Sequence, residues 1–265
     1  MLVLAIDTST PVITAGLVRL NQPHEVVAAM EAAAALPLSG SANDGRAFRP
    51  AIDVRQLLAE STVTDAFGHA EQLMPLVRGV LDQSAHTIGE ISAVVVGIGP
   101  GPFTGLRVGM VTAAALGDAR DIPVHGVPSH DAMARAAMGT GDFLVVTDAR
   151  RREVYVSAYR ENGARVYGPA VIAPAALPEL VAEHGLSPEW LTGAGAGPAS
   201  EALGLPVREP GGSVSESLVA CAVGPLLTAA VPGPLTPLYL RRPDAAEPTA
   251  PKPVLPVEPH APAAR

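Results

Sequence analysis

Lysine is nearly absent from this 265-residue chain: Lys252 stands alone, and the remaining positive charge is arginine. Against 18 Lys and Arg the chain sets 26 Asp and Glu, a formal net charge of −8. It therefore lacks the surplus of cations that displaces counterions from a nucleic-acid backbone, and is not read as an autonomous nucleic-acid binder. The arginines gather at Arg150, Arg151 and Arg152 and again at Arg241 and Arg242. Each group reads first as a solvated face beside acidic neighbours, and second as a contact for phosphate or for a partner's carboxylates. A single cysteine, Cys221, excludes an intrachain disulfide and a multi-cysteine zinc site, and is expected in the core as a small hydrophobe. No apolar run approaches the roughly 18–20 residues of a membrane span. MLVLAID passes into acid without a basic leader, so no signal peptide is read and a cytoplasmic location is expected.

The most informative stretch is Ile91 to Gly117, ISAVVVGIGPGPFTGLRVGMVTAAALG. Its first eight residues, apolar and rich in β-branched side chains, predict a strand buried on both faces of a parallel sheet. Gly99, Pro100, Gly101 and Pro102 then break regular structure, and Thr104 is expected to cap the following helix. From Gly105 small residues recur every fourth position, at Gly105, Gly109, Ala113 and Gly117, forming one ridge of that helix. Each helix-interior glycine costs about 1 kcal/mol, so the ridge implies close packing against another backbone. The loop itself has two readings. It is either an anion cradle at a helix N-terminus or a tight strand-to-helix turn, and it lacks the Gly-Lys-Ser/Thr ending of a P-loop.

In chain order, Leu2–Ile6 predicts a strand ending at Asp7, followed by Thr8, Ser9, Thr10 and a second strand over 13–20. Residues 21–53 read as an insertion in a hairpin, with a short helix over Val26–Ala35 as an option and a third strand at Val54–Val63. His69–Gln83 predicts an amphipathic helix with Leu73, Leu76, Val77, Val80 and Leu81 on one stripe. Strands follow at 122–127, 143–147, 154–159 and 166–172, with an alanine-rich helix after Pro128, a strand and turn at Trp190–Gly197, and a helix over Ser213–Ala230. Asp148 closes its strand as Asp7 does. Two strand-Asp-turn-strand-strand units predict a duplicated α/β fold of two lobes, 1–122 and 123–242. Seven prolines in residues 243–265 predict a disordered tail. No Ser/His/Asp grouping, paired carboxylates or metal cluster stands out.

GPGPFTGLRVG, residues 99–109, resembles the signature of the bacterial TsaB family, with Pro102 where serine is usual. AFGHAEQLMPLV resembles a second family pattern over His69, Glu71, Leu73 and Pro75, DARRREVYVSAY a third over Asp148–Arg150 and Glu153–Tyr155, and PLYLR at Pro237–Arg241 a closing one. The resemblance implies a duplicated actin, Hsp70 and sugar-kinase-like (ribonuclease H-like) fold, with mixed sheets flanked by helices. It implies a non-catalytic dimerisation subunit of the machinery that makes N6-threonylcarbamoyladenosine in tRNA. Such a subunit pairs with TsaD, which transfers threonylcarbamoyl from its adenylate to the adenosine beside the anticodon; it recruits the ATPase TsaE, meets tRNA only through the complex, and is open to forming a homodimer when alone.

By that likeness the helices His69–Gln83 and Thr104–Leu116 form a four-helix bundle with their counterparts in TsaD. The expected contact residues are His69, Leu73, Leu76, Val77, Val80, Phe103, Thr104, Gly105, Leu106, Arg107, Gly109, Met110 and Ala113. Asp7, Thr8, Ser9 and Thr10 resemble a degenerate phosphate loop, with turn-making hydroxyls as the plainer reading. No cofactor of its own is expected, and ATP or ADP at the interface shared with TsaD stays open. No metal is expected either: TsaD carries a His-x-x-x-His pair where this chain has Ser129 and Met133. The competing readings are a phosphotransferase of the sugar-kinase type using Asp7 and Asp148, a peptidase-like enzyme of the same superfamily, and a self-sufficient homodimer.

Overall fold

Alternation in the first strands decides the architecture. In β1 (Leu2–Asp7) Leu4 and Ile6 point to one side and Val3 and Ala5 to the other, and all four are fully buried. Only a sheet covered on both faces can accommodate that pattern. The computed structural model describes residues 1–21 and 55–241. The expected short helix at Val26–Ala35, nearly all of the expected insertion and the expected tail lie outside the described residues.

The first sheet has the order β3-β2-β1-β4-β5, with β2 (Val12–Leu20), β3 (Arg55–Thr64), β4 (Ile91–Gly97) and β5 (Val124–Val127). The hairpin partners β1, β2 and β3 run antiparallel, while β4 and β5 join in parallel. The second sheet, β8-β7-β6-β9, repeats this design with β6 (Phe143–Asp148), β7 (Val154–Tyr159), β8 (Arg165–Ile172) and β9 (Trp190–Thr192). Its β8–β7 and β7–β6 pairings are antiparallel and β6–β9 is parallel. Superposed in order and direction, β8-β7-β6-β9 matches β3-β2-β1-β4, so the fold is duplicated.

One face of the first sheet carries α1 (His69–Gln83) and α2 (Phe103–Arg120), which lie side by side. Leu73, Val77, Val80 and Leu81 of α1 and Met110 and Ala113 of α2 join Leu4, Ile6, Ile13, Leu17, Val94 and Val96 in one cluster. Between the sheets lies α3 (Ser129–Ala137), a helix of small side chains: Ala132 packs toward the first sheet, and Ala134 and Ala137 toward Phe143, Tyr159 and Trp190 of the second. The outer face of the second sheet is covered by α4 (Leu177–Glu183) and α5 (Ala196–Leu203).

Where one helix was expected over 213–230 there are two, α6 (Val214–Cys221) and α7 (Val223–Leu227). Pro225 explains the break, since it cannot donate to the carbonyl of Cys221 and its ring crowds that carbonyl. Leu218, Val219, Ala222 and Leu226 pack on the remaining face of the first sheet. Glu60 of β3 fixes their entry by accepting from Ser213 Oγ and Ser215 N. Residues 214–227 thus follow the second sheet in the chain but complete the packing of the first. Cys221, expected in the core, is exposed at the end of α6.

Candidate functional site

The Asp7–Thr10 turn is the place to begin, because the sequence offers it as a phosphate loop. All four residues are buried. Thr8 Oγ1 donates to Gly105 O at 2.7 Å and accepts from Gly109 N at 3.1 Å. Gly105 O and Gly109 N are an i, i+4 pair of α2, so the threonine hydroxyl is spliced into the helix's own hydrogen-bond ladder. His69 Nε2 donates to Thr10 O at 2.9 Å, and Asp7 Oδ1 accepts from Ser9 N at 2.7 Å. Burial pushes the Asp7 carboxyl above the usual carboxylate range, against hydrogen bonds from Ser9 and the Ser129 hydroxyl that pull it down. Ser9 Oγ and Asp7 Oδ2 make no hydrogen bond of good geometry.

The Gly-Pro loop lies directly over this turn. A Cβ on Gly101 would stand 2.1 Å from Ser9 O, and one on Gly109 2.3 Å from Thr8 Oγ1. Of the two readings of the loop, the tight turn with close-packed glycines is therefore the one realised toward Asp7–Thr10. The Thr8 hydroxyl holds α2 in place, and all four residues of the turn are buried beneath it. Thr104 does not cap α2: the helix starts at Phe103, and its cap residue, Pro102, supplies no side-chain acceptor.

The same geometry divides the expected docking residues into buried and exposed groups. Leu73, Val77, Val80, Leu106, Met110 and Ala113 are buried in the chain's own core. His69, Gly105 and Gly109 are taken up by the turn, and Gly117 by Val124. An amphipathic helix buries its apolar stripe on the nearest sheet, and here that sheet is intramolecular. Phe103, Thr104 and Arg107 do face solvent, and Leu76 is half-buried. Sequence reading missed Val111, 66% exposed, and Met74, 42% exposed, which occupy the outward faces of α2 and α1. Val111 was findable, since it lies one helical turn beyond Arg107 and off the small-residue ridge.

Next to the outward end of α2 opens a cleft of about 490 Å³. Its walls are Ala66–Phe67, the first turn of α2, the β6–β7 turn at Ala149–Arg151, and the C-terminal strap Tyr239–Arg241. The strap is well tied: Leu238 N donates to Ile98 O, Arg107 Nε donates to Tyr239 Oη at 2.9 Å, and Tyr239 stacks on Phe103. Arg107 also lies over the Phe103 ring at 3.6 Å. Arg241 donates to Ala149 O and pairs with Glu153 at 3.0 Å, which links the strap to the second sheet. Asp148, the counterpart of Asp7, is exposed, and its Oδ1 accepts from Arg150 N at 3.2 Å.

Between the lobes His130 is fully buried, with Nδ1 2.8 Å from Ser157 Oγ and Nε2 2.9 Å from Thr147 Oγ1. Desolvation, helped by the charge of Arg165, pushes its pKa down to about 3, so the ring is neutral. Ser129, at one of the two positions where the resemblance would put a histidine, uses its Oγ to accept from Gly99 N. Among the described residues no group of three or more His, Cys, Asp or Glu is placed to hold a metal ion, and no helix is long and apolar enough to cross a membrane.

Two mixed sheets of matching order, a hydroxyl turn under the second helix and helices on both faces define a duplicated α/β protein. The family model for TsaD, tRNA N6-adenosine threonylcarbamoyltransferase, matches residues 58–217, and the chain belongs to that family. Over part of its length the chain is similar to proteins named TsaB. It is 43% identical over 243 residues to the uncharacterized protein Rv3421c of Mycobacterium tuberculosis (strain ATCC 25618 / H37Rv), covering 92% of this chain and 93% of that protein. It is 33% identical over 129 residues to the tRNA threonylcarbamoyladenosine biosynthesis protein TsaB of Escherichia coli (strain K12), covering 47% of this chain and 56% of that one. Among solved structures, YeaZ from Pseudomonas aeruginosa shares the fold with a TM-score of 0.57 at 22% identity, over 88% of this chain and 100% of that one.

Proposed function

We propose that this chain is an accessory subunit in the synthesis of threonylcarbamoyladenosine in tRNA. It docks on TsaD through the outward faces of α1 and α2 and leaves the transfer chemistry to that partner. The observation that carries the reading is the exposed apolar side chains on the outward faces of those two helices, Met74 and Val111 with the partly exposed Phe103, in a chain similar to proteins named TsaB. Exposed apolar groups gathered on adjacent helices favour a protein partner. The non-catalytic part of the reading is supported by the burial of Asp7–Thr10 and by the use of Thr8 Oγ1 and Thr10 O to hold α2 and His69. TsaE and tRNA would be reached through the complex.

The test is the light-scattering mass of this chain mixed with TsaD from its own organism, compared with Val111→Arg. Val111 is exposed, so the arginine leaves the fold intact. A heterodimer formed by the wild type and lost in Val111→Arg is the expected result. A variant that pairs as well as the wild type refutes the docking face, and ATP turnover by the pure chain refutes the non-catalytic role.

A further inference from the structure

We propose that the cleft beside α2 receives a short acidic segment of the docking partner, held by Arg150 and Arg151. This rests on the docking reading above and adds to it the chemistry of the contact. The segments lining the cleft contribute Arg150, Arg151 and Arg241 and no Asp or Glu, in a chain whose formal net charge is −8. Such a concentration of one sign against the overall charge selects for an anionic occupant.

The three arginines are not equivalent. Arg241 is engaged with Glu153 and Ala149 O, which makes it a pin for the strap. The Arg150 guanidinium lies 5.8 Å from the Phe67 ring and pairs with no carboxylate among the described residues. Arg150, Arg151 and Arg152 hold φ angles of 60°, 52° and 63°. Three consecutive side-chain-bearing residues in the left-handed region are costly, and strain of this sort persists where it positions functional groups. Here it sets Arg150 and Arg151 at the cleft, facing the first turn of α2. The partial positive charge of that helix end adds to theirs, and Pro102 leaves it without a side-chain cap.

Two observations favour a protein segment over a small anion. Phe67 is 87% exposed at the rim, an apolar surface that a small phosphate would leave wet. Phe103 lines the cleft and begins the outward face of α2, where Arg107 and Val111 follow at successive turns, so a partner seated on Val111 reaches the cleft along one helix face. The occupant is therefore a segment with a carboxylate for the arginines and an apolar neighbour for Phe67.

The test measures the affinity of the full chain for TsaD of its own organism at 50 and 300 mM salt, for wild type, Arg150→Glu/Arg151→Glu and the milder Arg150→Ala/Arg151→Ala. Melting temperatures confirm that each variant folds, and the alanine pair decides if the charge-reversed one does not. Expected are a wild-type affinity that falls with salt, a loss of about tenfold or more on charge reversal, and a flatter salt dependence in both double variants. If Val111→Arg abolishes binding while both arginine variants bind as wild type does, the docking face stands and the acidic-segment proposal is overturned. If the wild type ignores TsaD, both readings fall. Tripolyphosphate titrated into the chain alone provides the other arm. Saturable binding that depends on Arg150 and Arg151, with affinity for TsaD unchanged in the arginine variants, would identify a phosphorylated small molecule as the occupant and overturn the proposal.

Discussion

Gly109→Ala sets two physical effects against each other. On helix propensity alone the alanine should stabilise α2 by about 1 kcal/mol. In the structure its Cβ would stand 2.3 Å from Thr8 Oγ1 and 3.3 Å from Thr8 Cβ. Thr8 is fully buried and bonded to both Gly105 O and Gly109 N, so it cannot swing out to solvent. Overpacking of this kind costs about 1–3 kcal/mol, and leaving the buried hydroxyl, carbonyl and amide mispaired adds about 1–3 kcal/mol. After the propensity gain the net loss should be about 3 kcal/mol. Urea unfolding followed by circular dichroism reads this as a lower midpoint with an unchanged slope. Thr8→Ala removes the obstacle and lets the helix close its own 105–109 bond, so the double variant should lose less than the sum of the singles, with a coupling above about 1 kcal/mol. A Gly109→Ala protein that resists urea better than wild type, or singles that simply add, would refute the account of the small-residue ridge.

His130 gives a pH dependence. Its folded pKa of about 3 lies below the ordinary 6.5, so its contribution is intact above pH 6.5 and is lost as pH falls toward 3. Between pH 7 and pH 5 the wild type should lose about 2 kcal/mol relative to His130→Asn, measured by urea midpoints at each pH. Asp7 works in the opposite direction, since its raised pKa favours the fold as pH falls, which is why the comparison is made against the variant. Trp190 is 1% exposed, stacks on Phe143 at 4.3 Å and donates to Thr140 O at 2.9 Å. Trp190→Ala should therefore cost about 3–5 kcal/mol in the same assay.

Much of this fold was legible because periodicity is a local signal. The apolar run Leu2–Ile6 gives a strand, the almost unbroken run Ile91–Ile98 gives one buried on both faces, and the Asp7 and Asp148 echoes give the duplication. The 3.6-residue stripe of His69–Gln83 gives a helix with the observed bounds. The helix over 213–230 was misjudged because its apolar content outweighed Pro225 in the reading, and the ring broke it. That these residues return to the first sheet depends on a contact with Glu60, over 150 residues away in the chain, and no local pattern records it.

The site was harder to read for a reason specific to it. An apolar stripe or a row of small residues states that something covers it, and the sequence is silent about whether the cover is another chain or a distant part of the same one. Here Leu73, Val77 and Val80 meet strands of their own sheet, and Gly105 and Gly109 meet Thr8, about a hundred residues upstream. Once those surfaces are satisfied internally, what remains for a partner is what the core did not need. That is Val111, Met74 and Phe103, none of which lies on the ridge or the stripe, beside an arginine turn whose bulky side chains stand where backbone amides would have to approach a phosphate. The two halves of the molecule have thus diverged in opposite senses from one plan. In the first, the Asp7 turn is sealed under α2 and became structural. In the second, the Asp148 turn stayed at the surface and lines the cleft with Arg150 and Arg151.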